Sequence, residues 1–258
     1  MSFVINPYRF GGGAPPGGIP TPTHWWDLDN ITTGLDDIGS KAGTNDMTLT
    51  TGGSPVTDTG DAPDGTSDSV RLPIFSDYLE TSTEKAWDGT SGAMSVSVWT
   101  KIENIGASFG AIISWRDEAA ADDRLLDFRV NNSTPDVGRF IVFDDGATED
   151  NVSAVATTAS GEGDGWVHMV GVFDGTDTAT IYVNAVSEGT DTDASFESLE
   201  STATMPFRIG NIAWTTPSTI LNLGGNVNSF GLFDAALTQD DITALYNSGN
   251  GGYYSDFW

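Results

Sequence analysis

The sequence predicts an all-β protein in which two antiparallel sheets pack face to face in a single sandwich. Short apolar runs alternate with segments rich in Gly, Asp, Asn, Ser and Thr, and 31 of the 258 residues are glycine. Such segments are typical of the turns between strands. The run Met94–Lys101 alternates strictly, with Met94, Val96 and Val98 on one face. A chain of this length fits one sandwich domain with a substantial core.

The first strand is predicted at His24–Asp29, and short strands are expected at Met47–Thr50 and Val70–Leu72. The strand at Met94–Lys101 places Trp99 on the face opposite its core residues. We therefore expect a loop, the N-terminal segment or a partner to cover this indole.

The middle of the chain predicts a series of strands and a hairpin. The strands are Ala111–Trp115, Leu125–Val130 and Arg139–Phe143. The hairpin spans residues 166–184 and turns at Asp174-Gly175. After it comes Asn184-Ala185, where a type I′ turn would place Ala185 at positive φ at a cost of about 1 kcal/mol. Another turn type or a longer loop is therefore expected.

One short helix is predicted close to the C-terminus. Thr238 can cap its start, and Asp241 three residues later completes a capping box. Gly249 is expected to end the helix. The apolar stripe consists of Ile242, Leu245 and Tyr246. The aromatic tail 250–258 is expected to dock on this sandwich or on a neighbouring molecule, because exposed rings favour association.

Four segments together resemble the laminin-G-like branch of the concanavalin A-like lectins. They are Gly165–Gly175, Thr180–Asn184, Phe207–Asn211 and Phe230–Gly249. The resemblance implies an antiparallel jelly-roll sandwich over residues 23–249, closed by the short helix. It also implies that His168, at a position where the family commonly has Trp-x-His, is a packed structural histidine.

The N-terminal segment differs from the rest of the chain. Residues 1–10 are apolar and aromatic, and residues 11–22 form a Gly/Pro-rich spacer. Such a beginning resembles bacteriophage virion accessory proteins of the capsid or tail. The resemblance implies an arm, residues 1–22, that docks into another virion protein; an arm folded back on its own domain is the alternative. The predicted docking residues are Phe3, Val4, Ile5, Tyr8 and Phe10.

The charge of the chain excludes some partners. A net charge of −27, from 37 acidic and 10 basic residues, would repel nucleic acid and an anionic bilayer. No secretory signal or membrane-spanning run is predicted. The absence of cysteine excludes disulfides and thiolate chemistry. Self-association is left open.

The motifs favour a protein that is not an enzyme. Gly106–Gly110 matches the pattern G-x-S-x-G, but it links two predicted strands, whereas a nucleophile elbow needs a turn from strand to helix. No strand carries the alternating acids of a jelly-roll glycosidase, although acids from separate strands could converge.

No cofactor is required by any motif, and calcium is the one ion left open. The resemblance implies a rim-loop site with Asp29 and Asp37 as candidate ligands, since they lie where the family's opening strand and first loop carry acids, and carboxylates suit a hard cation. The loop that begins at Asp191 starts like an EF-hand, but it lacks the glycine and the glutamate which that motif needs.

Sugar binding would need an aromatic platform beside polar groups. Trp87, Trp115 and Trp214 are the candidates, and a place in the core is the more common role for each. The predicted function is a virion-surface structural protein, assembled in the host cytoplasm, that acts either as decoration or as a weak binder of host-surface glycan. The alternatives are a calcium-assisted carbohydrate-binding module or adhesin and, less favoured, a polysaccharide hydrolase.

Overall fold

A computed structural model describes residues 18–42, 47–73, 76–105, 109–117, 123–131, 136–144, 150–199, 204–212 and 223–258. The strands, in chain order, are β1 His24–Trp26, β2 Leu49–Gly52, β3 Val56–Asp58, β4 Ser69–Leu72, β5 Tyr78–Thr81, β6 Met94–Ile105, β7 Phe109–Asp117, β8 Asp123–Asn131, β9 Val137–Phe143, β10 Asn151–Ala159, β11 Trp166–Phe173, β12 Thr178–Val183, β13 Val186–Thr192, β14 Phe207–Ile209 and β15 Leu223–Phe233. The helices are α1 Gln239–Tyr246 and α2 Tyr254–Phe257, with a 3₁₀ turn at Asn247–Gly249 between them.

The strands form two antiparallel sheets, and the predicted sandwich is confirmed. Sheet A has the order β13-β12-β11-β6-β15-β4-β3, with β1 also paired to β15. Sheet B has the order β10-β9-β8-β7-β14-β5-β2. Among the described residues, no helix has both the length and the apolar character needed to cross a bilayer.

The two sheets bury one continuous apolar interior between them. The residues expected to point inward on β6 and β12, Val96, Val98, Ile181 and Val183, are all buried there. The Trp26 ring from sheet A stacks on Phe207 of sheet B at a centroid distance of 5.6 Å. Alternation along each strand thus supplies both inner faces of the sandwich.

One glycine lets the sheets approach closely. Gly171 on β11 faces the ring of Phe140 on β9, and a Cβ at residue 171 would lie 2.3 Å from Phe140 Cδ2. A real Cβ never approaches a ring carbon so closely, so any larger residue would force the two sheets apart.

Side chains join the free edges of the two sheets. β13 and β10 are the edge strands at the same side of the sandwich. Asp191 Oδ2 on β13 accepts a hydrogen bond of 2.9 Å from Ser153 N on β10, and Glu188 Oε2 accepts one of 3.2 Å from Thr158 N. Backbone donors at the edge of sheet B are thereby satisfied by sheet A.

The outer face of sheet A is covered by the C-terminal segment. Trp99 stacks on Tyr246 of α1 at 5.7 Å and on His168 at 4.9 Å. Farther along this face, the Trp25 ring meets Trp258 of the aromatic tail at 5.3 Å. The tail therefore packs on its own sandwich, and Trp258 Nε1 donates to the carbonyl oxygen of Ile19 at 3.3 Å.

The start of α1 matches the prediction, but its end does not. Thr238 is the N-cap, and the capping box with Asp241 is complete. The helix ends at Tyr246, because Asn247 adopts a left-handed φ of 48° at the C-cap. The expected stop at Gly249 is wrong by three residues, since asparagine tolerates this conformation almost as glycine does.

The turn between β12 and β13 has the type I′ conformation, which the local cost at Ala185 disfavours. Asn184 has φ 49° and Ala185 has φ 63°, as a two-residue type I′ turn requires. The expectation of another turn type or a longer loop is wrong. Two contacts hold the turn: His168 N donates to Asn184 Oδ1 at 3.0 Å, and Gln239 Nε2 donates to Ala185 O at 2.7 Å.

Candidate functional site: an arginine cleft on sheet B

The outer face of sheet B collects arginines from four neighbouring strands. They are half of the ten basic residues in the chain. In chain order they are Arg116 on β7, Arg124 and Arg129 on β8, Arg139 on β9 and Arg208 on β14. Alternation places Arg116, Arg129, Arg139 and Arg208 there, because their neighbours Trp115, Phe128, Phe140 and Phe207 occupy the opposite, inner face. Arg124 joins them through a register shift between β7 and β8, which pairs it with Arg116.

Four of these arginines line a cleft of about 300 Å³. We call it the arginine cleft and define it by Arg116, Arg124, Arg129, Arg139 and Asp127. The rings of Phe109 and Phe143 form part of its wall. In a chain of net charge −27, these residues create a local positive site.

An ion pair forms the base of the cleft. Arg116 Nη1 lies 2.6 Å from Asp127 Oδ2, and the exposed fraction of Asp127 is 2%. Burial raises the pKa of the Asp127 carboxyl, and the charges of Arg116 and Arg129 oppose that rise. The second oxygen, Asp127 Oδ1, is covered by its neighbours, and the Ser114 side chain also hydrogen-bonds the Asp127 carboxyl. Asp127 is therefore a structural base of the cleft rather than a group that a ligand reaches.

Two like charges face each other across the middle of the cleft. Arg129 on β8 is directly opposite Arg139 on β9. Such a pair is unfavourable in a sheet. Burial and the charges of Arg139 and Arg116 hold the pKa of the Arg129 guanidinium below its usual value, against the opposing effect of Asp127. Arg129 Nε is buried without an acceptor among the described residues.

Aromatic rings and a hydroxyl hold the guanidinium groups in place. Arg129 Cζ lies 4.3 Å from the ring centroid of Phe109, and Arg124 Cζ lies 5.7 Å from that of Phe143. Arg139 Nε donates to Ser153 Oγ at 2.5 Å. These contacts fix the planar groups without neutralising them.

Arg208 lies beside the cleft and has a different role. Its Nε donates to Glu80 Oε2 at 2.8 Å, and its guanidinium packs on Tyr78 at 4.6 Å. This carboxylate partner neutralises the charge at the flank of the site.

Two of the tryptophans predicted as sugar platforms, Trp87 and Trp115, are not on the surface. The exposed fractions of Trp87 and Trp115 are 4% and 0%, and their rings meet edge to face at 6.1 Å. The structure corrects the prediction for both residues, because an indole whose two faces lie in the core cannot stack on a sugar. Trp214 lies outside the described residues.

The two acids predicted as calcium ligands have other contacts. Asp37 Oδ2 accepts from His24 Nδ1 at 2.7 Å, and Asp37 Oδ1 accepts from Gly39 N at 3.0 Å. Asp29 Oδ1 accepts from Asn30 Nδ2 at 2.7 Å, and burial raises the Asp29 pKa. Within the described ranges, no three His, Cys, Asp or Glu side chains are grouped so that they could hold a metal ion.

The remaining sequence candidates add no second site within the part of the chain that the structure describes. His168 is buried, its Nε2 lies 2.9 Å from Ser97 Oγ, and burial lowers its pKa to about 3. It is the packed structural histidine that the resemblance implied. The predicted docking residues Phe3, Val4, Ile5, Tyr8 and Phe10 lie outside the described residues, as do residues 106–108 of the G-x-S-x-G match.

The sequence analysis missed the arginine cleft, although a signal for it was present. Four of the ten basic residues fall between positions 116 and 139, within or directly beside three consecutive predicted strands. Each arginine stands at an outward position next to a large apolar residue. Basic residues are rare in this chain, so their concentration on one face of the predicted sheet was the signal for the cleft.

Comparison with known proteins identifies the family. Residues 64–243 match the model of the Laminin_G_3 family, described as the concanavalin A-like lectin/glucanases superfamily. This match covers more than half of the chain. The chain belongs to this family. A search of curated proteins finds no match.

Solved structures agree with the fold of the family. Domain 4 of AbnA, a GH43 extracellular arabinanase from Geobacillus stearothermophilus solved with arabinotriose, has 16% identity, covers 87% of this chain and 97% of its own, and gives a TM-score of 0.56. The ligand-binding domain of botulinum neurotoxin serotype D, solved with N-acetylneuraminic acid, has 12% identity and a TM-score of 0.63, with 88% of this chain and 50% of that chain covered. A pentraxin from Limulus polyphemus has 18% identity and a TM-score of 0.51, with 70% and 78% covered. At these identities, the likeness shows a shared fold.

Proposed function

We propose that this chain is a non-catalytic carbohydrate-binding module whose ligand lies in the arginine cleft. The observation that carries the proposal is a 300 Å³ cleft lined by four arginines, of which Arg129 and Arg139 have no ion pair among the described residues. Guanidinium groups at a concave surface are suited to bind a polar ligand. Arabinotriose and N-acetylneuraminic acid, found with two structural neighbours, support carbohydrate as the ligand class.

The spacing of carboxylates across the sheet supports binding without hydrolysis. Glu80, Arg208, Ser114 and Asp127 lie in one row across β5, β14, β7 and β8. Three strand spacings separate the two carboxylates by about 14 Å. Glycosidases use a pair about 5–10 Å apart. Each carboxylate is also ion-paired with an arginine.

A glycan panel on the purified chain tests this function. The panel contains neutral and acidic oligosaccharides, and binding is measured by calorimetry while product formation is followed by chromatography. We expect binding without turnover. Binding to no member, or turnover that is abolished by Asp127→Asn, would contradict the proposal.

A blocking variant tests the location of the ligand. Asn151 is an exposed residue at the rim of the cleft, so Asn151→Trp would fill the space without disturbing the core. Val186→Trp on β13 of sheet A is the matched control, because Val186 is exposed and far from the cleft. We expect the first variant to lose binding and the second to retain it; equal binding by both would place the ligand elsewhere.

The second half of the proposal concerns a virion surface. The aromatic head and Gly/Pro spacer of residues 1–22 support an arm that docks into a capsid or tail protein. Ile19 packs against the sandwich, so deletion of residues 2–17 spares this contact. We expect the deletion to abolish incorporation into particles assembled in the host cytoplasm while the isolated chain still folds. Unchanged incorporation would remove this half of the proposal.

A further inference from the structure

We infer that the group recognised in the arginine cleft is a sugar carboxylate held between Arg129 and Arg139, so that the module selects sparsely charged acidic glycans over neutral ones. This inference rests on the proposed carbohydrate-binding function and names its ligand class.

The first step is the missing counter-charge. Arg129 and Arg139 face each other across β8 and β9, and neither has an ion pair among the described residues. Among the described residues, the hydrogen-bond partner of Arg139 is a neutral hydroxyl, that of Ser153. Two directly opposed cations destabilise a sheet unless an anion lies between them. A planar carboxylate fits guanidinium groups with two parallel hydrogen bonds, which makes it the matching anion.

The second step is the balance of charge in the cleft. Asp127 Oδ2 is paired with Arg116 at 2.6 Å, and Asp127 is buried, so this carboxylate belongs to the base of the site. Arg129 and Arg139 are then the cations that face a ligand. A sugar acid brings one carboxylate for these two groups and hydroxyl groups for the polar rim, where Asn151 is exposed.

The third step is the preorganisation of the donors. Arg129 lies over Phe109 at 4.3 Å, and Arg139 is held by Ser153 at 2.5 Å. Side chains fixed before binding lose little rotamer entropy when the ligand arrives, so the charge-assisted bonds contribute more fully to affinity.

The fourth step is the charge of the remaining surface, which limits how acidic the ligand can be. The chain carries 37 acidic residues against 10 basic ones. At physiological salt, charges interact over about 8 Å, so a single carboxylate in the cleft is influenced mainly by the arginines. A densely charged polymer extends beyond the cleft onto acidic surface and is repelled. The ligand is therefore sparsely charged.

The test compares acidic sugars with their neutral counterparts, using the full chain and calorimetry. The probes are 3′-sialyllactose against lactose, trigalacturonate against its trimethyl ester, and heparin as a dense polyanion. We expect the acidic member of a pair to bind about tenfold or more tightly than the neutral one, since bonds to charged groups are the stronger ones. Heparin is expected to bind more weakly than the short acidic probes.

Matched variants locate the carboxylate. Arg129→Gln and Arg139→Gln are each expected to weaken acidic binding about tenfold or more. Arg71→Gln is the control, because Arg71 lies on sheet A, is 38% exposed and pairs with Glu103 at 2.6 Å. It removes the same charge from the molecule and should leave binding within about twofold. Thermal denaturation of each variant verifies that it is folded.

The outcomes separate this inference from the proposed function. Equal binding of the acidic and neutral members of a pair would overturn the recognition of a carboxylate. The chain would still be a carbohydrate-binding module. Binding of heparin more tightly than the short probes overturns the sparse-charge requirement. If Arg71→Gln weakens acidic binding as much as Arg139→Gln does, the effect is one of net charge and the assigned position is wrong. If no sugar binds, the proposed function and the inference both fail.

Discussion

The outer faces of sheet A and sheet B start from the same alternation of side chains and become opposite surfaces. On sheet A the outward residues are Trp25, Trp99 and Val170, which are buried under α1 and the aromatic tail. On sheet B the outward residues include Arg129 and Arg139, which line an open cleft. Both sheets bury their inner faces in the same core. The two sheets therefore differ in role only through the residues on their outer faces.

This difference assigns stability to the covered outer face of sheet A and leaves the open outer face of sheet B for recognition. Apolar outward residues require a cover, and the C-terminal segment supplies it for sheet A. Charged outward residues keep water or a ligand at the surface of sheet B. Substitutions on the covered face should therefore change the free energy of unfolding, and those on the open face should change binding.

The largest expected effect is on the covered face. Trp25 packs against Phe233, Tyr254, Phe257 and Trp258. Trp25→Ala should lower the free energy of unfolding by about 3–5 kcal/mol, because it removes a buried ring and leaves a cavity under the tail. Chemical denaturation measures the loss, and limited proteolysis within residues 250–258 should become faster.

Arg139→Gln on the open face is the comparison for this experiment. Its expected change in the free energy of unfolding is within about 1 kcal/mol, because no apolar packing is lost and a like-charge contact is relieved. If Arg139→Gln lowered the free energy of unfolding as much as Trp25→Ala, the arginine cleft would contribute to stability. Stability and recognition would then not be separated between the two outer faces.

A pH effect of intermediate size is expected on the covered face. Burial lowers the pKa of His168 from 6.5 to about 3, so the folded chain keeps this ring neutral. Above pH 6.5 the ring is neutral in both states, and below it the unfolded chain gains a proton that the folded chain does not. Stability should fall on the order of 1 kcal/mol per pH unit as the pH decreases from 6.5 towards 3.

His168→Gln isolates this effect, because glutamine does not titrate. The free energy of unfolding of the wild type minus that of the variant should increase as the pH rises to 6.5. It should stay constant above that pH. The window from pH 6.5 to 4.5 is suited to the measurement, because carboxyls with raised pKa values, such as Asp29 and Asp127, are present in both proteins and cancel in the difference. If the two proteins gave parallel curves of unfolding free energy against pH, the pKa of His168 would be the same in the folded and the unfolded chain.

The smallest expected effect is at the turn under α1. Ala185 has φ 63°, a conformation that costs an L-residue about 1 kcal/mol or somewhat more. Ala185→Gly should therefore raise the free energy of unfolding by up to about 1 kcal/mol, observed as a higher Tm. A lower Tm would mean that packing of the Ala185 methyl group against the covered face outweighs the strain.

Local patterns predicted most of the scaffold. Alternation in Met94–Lys101 identified the inward residues of β6, and the Thr238–Asp241 capping box identified the start of α1. These signals involve residues that are close in sequence, so they do not depend on which strands become neighbours.

The candidate site could not be predicted in the same way. The pairing of Arg129 with Arg139 depends on the register of β8 against β9, and an alternating pattern is unchanged by a shift of two residues. Trp87 and Trp115 have polar neighbours in sequence, but their burial is decided by the facing sheet. Tertiary packing also overrode the local cost of Ala185 at positive φ.

The carboxylates that join β13 to β10 have a consequence for polymerisation. An edge strand with open amide groups invites a strand from a second molecule, which is how many β-proteins form fibres. Here the amides of Ser153 and Thr158 already donate to Asp191 and Glu188 of the same chain. Crowded copies in a concentrated solution are thus discouraged from pairing their sheets along this edge, and they stay separate molecules.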